Sequence, residues 1–417
     1  MAGDALLYVP GDITEKSPYV SGLDRVLLRK EPERGVELQG MEFSKLTFYT
    51  RTDGKILMFL DLSTYIYALI WRSLLRRQLY YNIFDTINQR SGVMSNSSIV
   101  TVARIDVPVP LPVKHTHCYA VDTGAGWLVV DAGMDTPEAR EEWDLALKRY
   151  PLEGHTGLIF VTHCHPDHIG LAAWLSDRLE APVAMMSGDA DTAERYIRPK
   201  SDDEDRVRTF YHAHGVPDAL VDGWIRLDQA FRRTLTLPTT IRRITDREIQ
   251  TIGCVQFRFL EQGGHTDHQG LVFLAEEQIL FTGDQVLSRI TPNVSLWPNG
   301  EPNPLGRYLE SLEYLKTLGP VRGLGAHENE IENVQERVGQ LTRHHQTRNQ
   351  DLLQILEEEP MDAYHVTPWL FSRRPLDDYQ WRFALGETLA HLEYLVSTDE
   401  VARLHDGNLI RYQRVSE

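Results

Sequence analysis

Cysteine is scarce in this 417-residue chain: Cys118, Cys164 and Cys254 are widely spaced and odd in number. That argues against a disulfide framework and predicts a reducing, cytoplasmic setting. The first twenty residues lack an apolar core segment, so no secretory signal is expected there. Nor does any apolar run reach the roughly 20 uncharged residues that a membrane-spanning helix needs. The nearest candidate, residues 56–71 between Lys55 and Arg72, carries Asp61 inside it. It predicts a buried or interfacial helix and no transmembrane span. Basic charge is also in deficit, with 43 Lys and Arg against 60 Asp and Glu and a net charge of −17. Such a surface repels nucleic acid and anionic membranes, which leaves a small-molecule substrate as the expected partner.

What is present is an ordinary globular composition, 42% apolar and 25% charged, in a chain long enough for two or three domains. Residues 1–93 stand apart as an N-terminal extension with a net charge of +1 and no catalytic motif. Residues 56–87 read as one long apolar helix, packed on its own small domain or on a second copy of the chain in a homodimer. Residues 89–98 cluster small polar residues and glycine, as a linker does. From residue 99 strands and helices alternate, which places an α/β catalytic domain over 94–340. Within it, 187–248 is polar, with helical pieces over 203–214 and 217–227, and reads as a lid insertion. Residues 341–417 read as helices over 351–358, 362–371 and 381–396, then a hairpin around Asp406-Gly407, the order of a winged-helix module.

The chemistry-bearing residues gather in Thr162-His163-Cys164-His165-Pro166-Asp167-His168, at the end of the apolar run 157–161. His163 and His165 lie two apart on extended chain, so they point the same way and can share one metal. Asp167 and His168 come next, where the chain turns into a helix, and reach toward a second. Nitrogen-rich ligation with a few carboxylates suits Zn²⁺ best, with Fe or Mn as substitutes. A lone histidine is usually a core or surface residue. Three histidines and an aspartate within six residues at a strand end are not explained that way.

This motif, together with elements downstream of it, resembles the metallo-β-lactamase superfamily over roughly residues 100–335. The resemblance implies an αββα four-layer sandwich, to which the pattern of the remaining residues adds a C-terminal winged-helix-like domain and an N-terminal extension. It implies a third histidine for the first metal in Gly264-His265-Thr266, a bridging aspartate in Thr282-Gly283-Asp284, and a last histidine in Gly325-Ala326-His327. Asp131, in Asp131-Ala132-Gly133, matches an early aspartate that supports the site without ligating it. The implied set is His163, His165 and His265 on one Zn²⁺, Asp167, His168 and His327 on a second, and Asp284 between them. His268 is expected to line or support the site, Cys164 to point into the core, and His115 and His117 to line the mouth.

On that resemblance, a hydroxide bridging two metals about 3.5–4 Å apart attacks a carbonyl or phosphoryl centre, with Asp167 orienting it. Residues 290–293, 302–305 and 384–392 further resemble the β-lactamase-like protein 2 and glyoxalase-II-like group. That group includes thioester hydrolases and an RNA-cleaving member. Three readings are open: a dinuclear hydrolase of a thioester or carboxylic ester, a nuclease of the same fold acting on RNA, and a metal-containing ligand-binding or regulatory protein with little turnover. Charge argues against the nuclease, because residues 340–417 carry a net −5 and the 381–396 helix sets Glu387 and Glu393 against Arg382. The complete ligand set argues against the third reading.

Overall fold

The computed structural model describes residues 100–371 and 375–415, together with six short strands nearer the N-terminus. These are β1 (Leu6–Tyr8), β2 (Leu28–Lys30), β3 (Glu37–Leu38), β4 (Met41–Glu42), β5 (Leu46–Thr50) and β6 (Ile56–Leu60). The chain divides into two compact units, Met1–Asn96 and Ser97–Glu417. In the first, β1, β6, β5 and β2 lie side by side in one sheet. The helix expected over 56–87 therefore does not begin where the sequence suggested, because Ile56–Leu60 is a strand paired antiparallel with β5. A short continuous apolar run fits a buried strand as well as a helix, and Asp53-Gly54 between the two partners is itself a hairpin signal. The rest of that expected helix, residues 61–87, and the expected linker at 89–98 lie outside the described residues. Among the described residues no helix is long and apolar enough to cross a membrane.

The second unit is built on two sheets. The first contains β7 (Thr101–Pro108), β8 (His115–Asp122), β9 (Trp127–Val130), β10 (Thr156–Phe160), β11 (Val183–Met186) and β12 (Ile241–Ile244). Its order is β12-β11-β10-β9-β8-β7, antiparallel from β7 to β9 and parallel from β9 to β12. The second contains β13 (Ile249–Ile252), β14 (Val255–Gln262), β15 (Gln269–Leu274), β16 (Ile279–Gly283) and β17 (Arg322–Gly325), in sequence order.

Period-two alternation explains how they stack. Along β10, Leu158 and Phe160 face the second sheet, where they meet Phe257, Phe259 and Phe281. Ile159 and Val161 face the other way, onto α1 (Pro137–Arg149), α3 (Ala172–Leu179) and α4 (Ser187–Ile197) through Trp143, Leu175 and Ala190. On the far side of the second sheet, Leu271 and Leu280 pack against α7 (Pro304–Lys316) and α8 (Val334–Ile355) through Leu312 and Val338. Helix, sheet, sheet and helix form the four layers that the resemblance implied.

Both ends of the 187–248 excursion belong to this sandwich, since α4 covers the first sheet and β12 extends it. The Ile-Arg-Arg-Ile of β12 hid as a strand because its middle is charged, but Arg243 is exposed and pairs with Asp191 and Glu194 on α4. Between them, α5 (Asp203–Ala213) and α6 (Asp218–Thr234) bury Tyr211, Val221 and Trp224 in a separate core. That core is shared with Leu352 of α8, Val366 of α9 (Ala363–Leu370), Leu385 and Leu392 of α10 (Asp378–Ser397), and Tyr412. The chain ends in the hairpin of β18 (Val401–Asp406) and β19 (Leu409–Arg414), where Gly407 takes a φ of +60°.

Candidate metal centre

All seven residues singled out above come together where strands of the two sheets end. His163 lies just past β10, and His165, Asp167 and His168 sit on the turn that becomes α2 (Pro166–Ile169). His265 lies in the β14–β15 connection, Asp284 directly after β16, and His327 two residues after β17. Their side-chain atoms form three overlapping groups: His163, His165 and His265; His163, His168 and Asp284; and Asp167, His168 and His327.

Hydrogen bonds to the outer ring nitrogens decide which lone pairs face inward. His265 Nδ1 donates to the Asn293 carbonyl at 2.8 Å, and His327 Nδ1 to the His115 carbonyl at 2.8 Å. His168 Nδ1 donates to Asp131 Oδ2 at 2.9 Å. Thr162 Oγ1 gives its own proton to Asp131 at 3.0 Å and so accepts from His163 Nδ1, also at 3.0 Å. Four imidazoles thus carry their proton outward and turn a bare Nε2 inward. His165 is the exception, with its Nδ1 facing in, 3.0 Å from His163 Nε2 and 3.1 Å from His265 Nε2.

The carboxylates close the cluster. Asp284 Oδ2 lies 3.6 Å from the Nε2 atoms of His265 and His168 and 3.4 Å from that of His327. Asp167 Oδ2 lies 3.6 Å from His168 Nε2 and 3.4 Å from His327 Nε2. Ligand atoms on a tetrahedral ion with bonds of about 2.0–2.2 Å stand roughly 3.3–3.6 Å apart, so these spacings suit a shared cation. His168 Nε2 and Asp284 Oδ1 are buried without a hydrogen-bond partner, a cost that an ion between them removes. The donor set fits a metal.

Electrostatics point the same way. Burial, then repulsion from neighbouring imidazoles, pushes His163 well below its usual range. Burial and the adjacent His265 bring His165 down to about 3. Burial opposes charge on His168 and His327 as well, but there the carboxylates win. Asp131, Asp167 and Asp284 hold His168 well above its ordinary value, and Asp284 with Asp167 raises His327 to about 10. Against the same burial, His168 and His327 keep Asp167 at about 2, and they hold Asp284 well below the carboxylate range. Positive charge is wanted at the centre, and protons and metal ions compete for the same lone pairs.

The supporting residues also take their places. Asp131, at a left-handed φ of +62°, receives the Thr162 amide at 2.7 Å besides Thr162 Oγ1 and His168. Gly170 lets the metal-binding turn sit tightly on this loop, since a Cβ there would meet Asp135 N at 2.7 Å and Gly133 O at 2.9 Å. Cys164 packs on the core of the outer helices, as expected. His268 turns away to Glu261 at 2.9 Å and packs over Gly188. His117 is held between Asp106 and the Glu328 carbonyl, each at 2.7 Å. His115 contributes its carbonyl to His327.

Sequence reasoning did not find Asn293, because a backbone carbonyl leaves no side-chain signal. Nor did it find the link from this loop to α10. Leu296 N donates to the Gly386 carbonyl at 3.0 Å, and a Cβ on Gly386 would meet Ser295 Oγ at 2.6 Å. Burial, then the negative charge of Asp167, raises the phenol of Tyr379 on α10.

Comparison with known proteins agrees with this architecture. Residues 111–327 match the model of the metallo-beta-lactamase superfamily, and residues 350–415 match a metallo-beta-lactamase-like C-terminal domain. The chain is 26% identical over 324 residues to the probable metallo-hydrolase YqjP of Bacillus subtilis, covering 75% of this chain and 97% of that one. It is 25% identical over 275 residues to the beta-lactamase-like protein 2 homolog of Caenorhabditis elegans, covering 64% and 75%. With the atrochrysone carboxyl ACP thioesterase of Aspergillus fumigatus it shares 26% identity over 252 residues, covering 60% and 62%. A metallo-beta-lactamase family protein from Thermus thermophilus superposes with a TM-score of 0.66 at 31% identity, covering 75% of this chain and 98% of that one. With its histidines and aspartates at the strand ends of a four-layer sandwich and a matching C-terminal domain, this chain belongs to the metallo-beta-lactamase superfamily, and it is a hydrolase of that superfamily.

Proposed function

We propose that the chain is a dinuclear, zinc-dependent hydrolase of thioesters or carboxylic esters. The observation that carries this reading is the inward convergence of four Nε2 atoms, His165 Nδ1 and two carboxylates, with Asp284 Oδ2 within 3.6 Å of imidazoles from both halves of the set. His163, His165 and His265 would hold one ion, Asp167, His168 and His327 the other, and Asp284 both. Bound together, two such ions supply a water activated at neutral pH and polarise the scissile carbonyl. The protein's part is positioning. Asp131, Thr162, Asn293 and the His115 carbonyl fix the ring orientations before any ligand arrives, which lowers the cost of assembling the site. Asp167, ionised at neutral pH because His168 and His327 flank it, accepts the hydrogen bond that aims the attacking water and can take its proton. The thioesterase named among the relatives supports an acyl substrate, and the acidic C-terminal residues speak against RNA.

The test couples metal analysis of the purified chain to a panel of thioesters, lactones, phosphodiesters and RNA. Two equivalents of metal and thioester turnover are expected. Asp284→Ala should reduce bound metal to one equivalent or less and lower kcat/KM about a thousandfold or more. Retention of both metal and activity by that variant, or cleavage of RNA alone, would overturn the reading.

A further inference from the structure

A groove of about 300 Å³ runs beside the metal-binding turn, between that turn and α6. One wall is Pro166 and Gly170. The other is Leu227, Ala230 and Phe231 of α6, whose i, i+3, i+4 spacing puts them on one helix face. Its volume is at the small end of ligand pockets, about 300–1,000 Å³, and its lining is mostly apolar, as theirs is. The acid at its edge, Asp135, is held by Arg140 through both oxygens at 2.8 and 2.9 Å. Among the described residues no Lys or Arg side chain lines the groove, which disfavours a phosphate there. Its far wall is also fixed in place. Arg382 of α10 grips Asp228 of α6 at 2.6 and 2.9 Å, and Trp224 Nε1 donates to the Asp378 carbonyl at 2.7 Å. Pro166 lies between His165 and Asp167 in the chain, so one turn carries both the groove wall and three side chains of the metal cluster, His165, Asp167 and His168.

We infer that this groove holds the uncharged aliphatic acyl chain of the substrate while its carbonyl sits at the metal cluster. The inference rests on the hydrolase reading above and adds the substrate class. A wall shared with the turn that carries His165 and Asp167, a mostly apolar lining, and a far wall fixed before binding suit a medium-length hydrocarbon chain. Burying each methylene there is worth about fourfold in affinity.

The test uses the metal-loaded full chain and N-acetylcysteamine thioesters from acetyl to decanoyl. The expected result is a kcat/KM at least about tenfold higher for decanoyl than for acetyl. Ala230→Trp, which fills the groove from an exposed position, should lower the decanoyl-to-acetyl ratio about tenfold. Phe231→Ala, which removes contact instead of space, should lower the same ratio. Flat chain-length dependence, or an unchanged ratio in both variants, would overturn the inference while leaving the hydrolase reading intact. If no thioester of any length is turned over, the hydrolase reading falls, and calorimetry with decanoate still judges the groove. Binding that is weakened in Ala230→Trp supports an apolar-chain site, and equal binding by wild type and variant refutes it.

Discussion

Two clusters of buried histidines stand in this fold, and they behave in opposite ways. At the metal centre, imidazole nitrogens converge beside carboxylates. The negative charge of Asp131, Asp167 and Asp284 raises His168 well above its ordinary value, while Asp284 and Asp167 raise His327 to about 10. Under α7, the second cluster is a short relay. His345 Nδ1 donates to His391 Nε2 at 3.2 Å, and His391 Nδ1 donates to Asn349 Oδ1 at 2.6 Å. No carboxylate enters this relay, and burial pushes both imidazoles down, His391 far and His345 to about 3. Burial is common to both clusters. What makes one of them a metal centre is convergence of lone pairs together with compensating negative charge.

The sharpest way to break that contrast is to remove negative charge from the first cluster. Asp131→Asn keeps the shape but weakens the anchor of His168 and Thr162, and metal affinity should fall about 10–100-fold. Competition with a chromogenic chelator measures it; unchanged affinity would mean that Asp131 is only a backbone prop.

The second cluster should reveal itself through acid. Its folded pKa values lie below the unfolded value of about 6.5, so the unfolded chain takes up protons that the folded chain refuses. The pair's contribution is therefore complete above about pH 6.5 and is lost as pH falls toward the folded values. Between pH 7 and pH 5 the loss should be about 1–2 kcal/mol per imidazole. Denaturant unfolding of wild type against a His345→Gln, His391→Gln double variant isolates it, and parallel pH profiles would refute it.

A smaller effect makes the comparison sharper still. Asn349→Asp lends the relay the carboxylate it lacks, 2.6 Å from His391. It should raise the His391 pKa and recover about 1 kcal/mol of stability at pH 5 relative to wild type. The same unfolding experiment reads it, and a loss of stability at pH 5 would count against the electrostatic account.

The same division between local and distant cause runs through what the sequence made legible. The centre could be read because each of its members closes a strand within a short motif, from His163 to His168 and then at His265, Asp284 and His327. The sandwich was legible through the family resemblance that those motifs carry, and β10 as a strand through its continuous apolar run over 157–161. Features that depend on distant partners could not be read. Asp228 finds Arg382 across 154 positions, and nothing near either residue announces the pair. β12 is a strand because β11 lies beside it, despite its two arginines. Near the N-terminus, Ile56–Leu60 carries an apolar run with no period of its own, and pairing with β5 makes it a strand.

Helix α8 has a consequence for building chimaeras from members of this superfamily. It enters as part of the outer layer over the second sheet, through Val334, Val338 and Leu341, and leaves inside the C-terminal core at Leu352. Twenty-two residues run without a break between the two, so a swap of C-terminal domains made near residue 340 would cut a continuous rod. Recombination of this chain with a relative should instead cross over after Ile355, where the helix stops and the next has not begun.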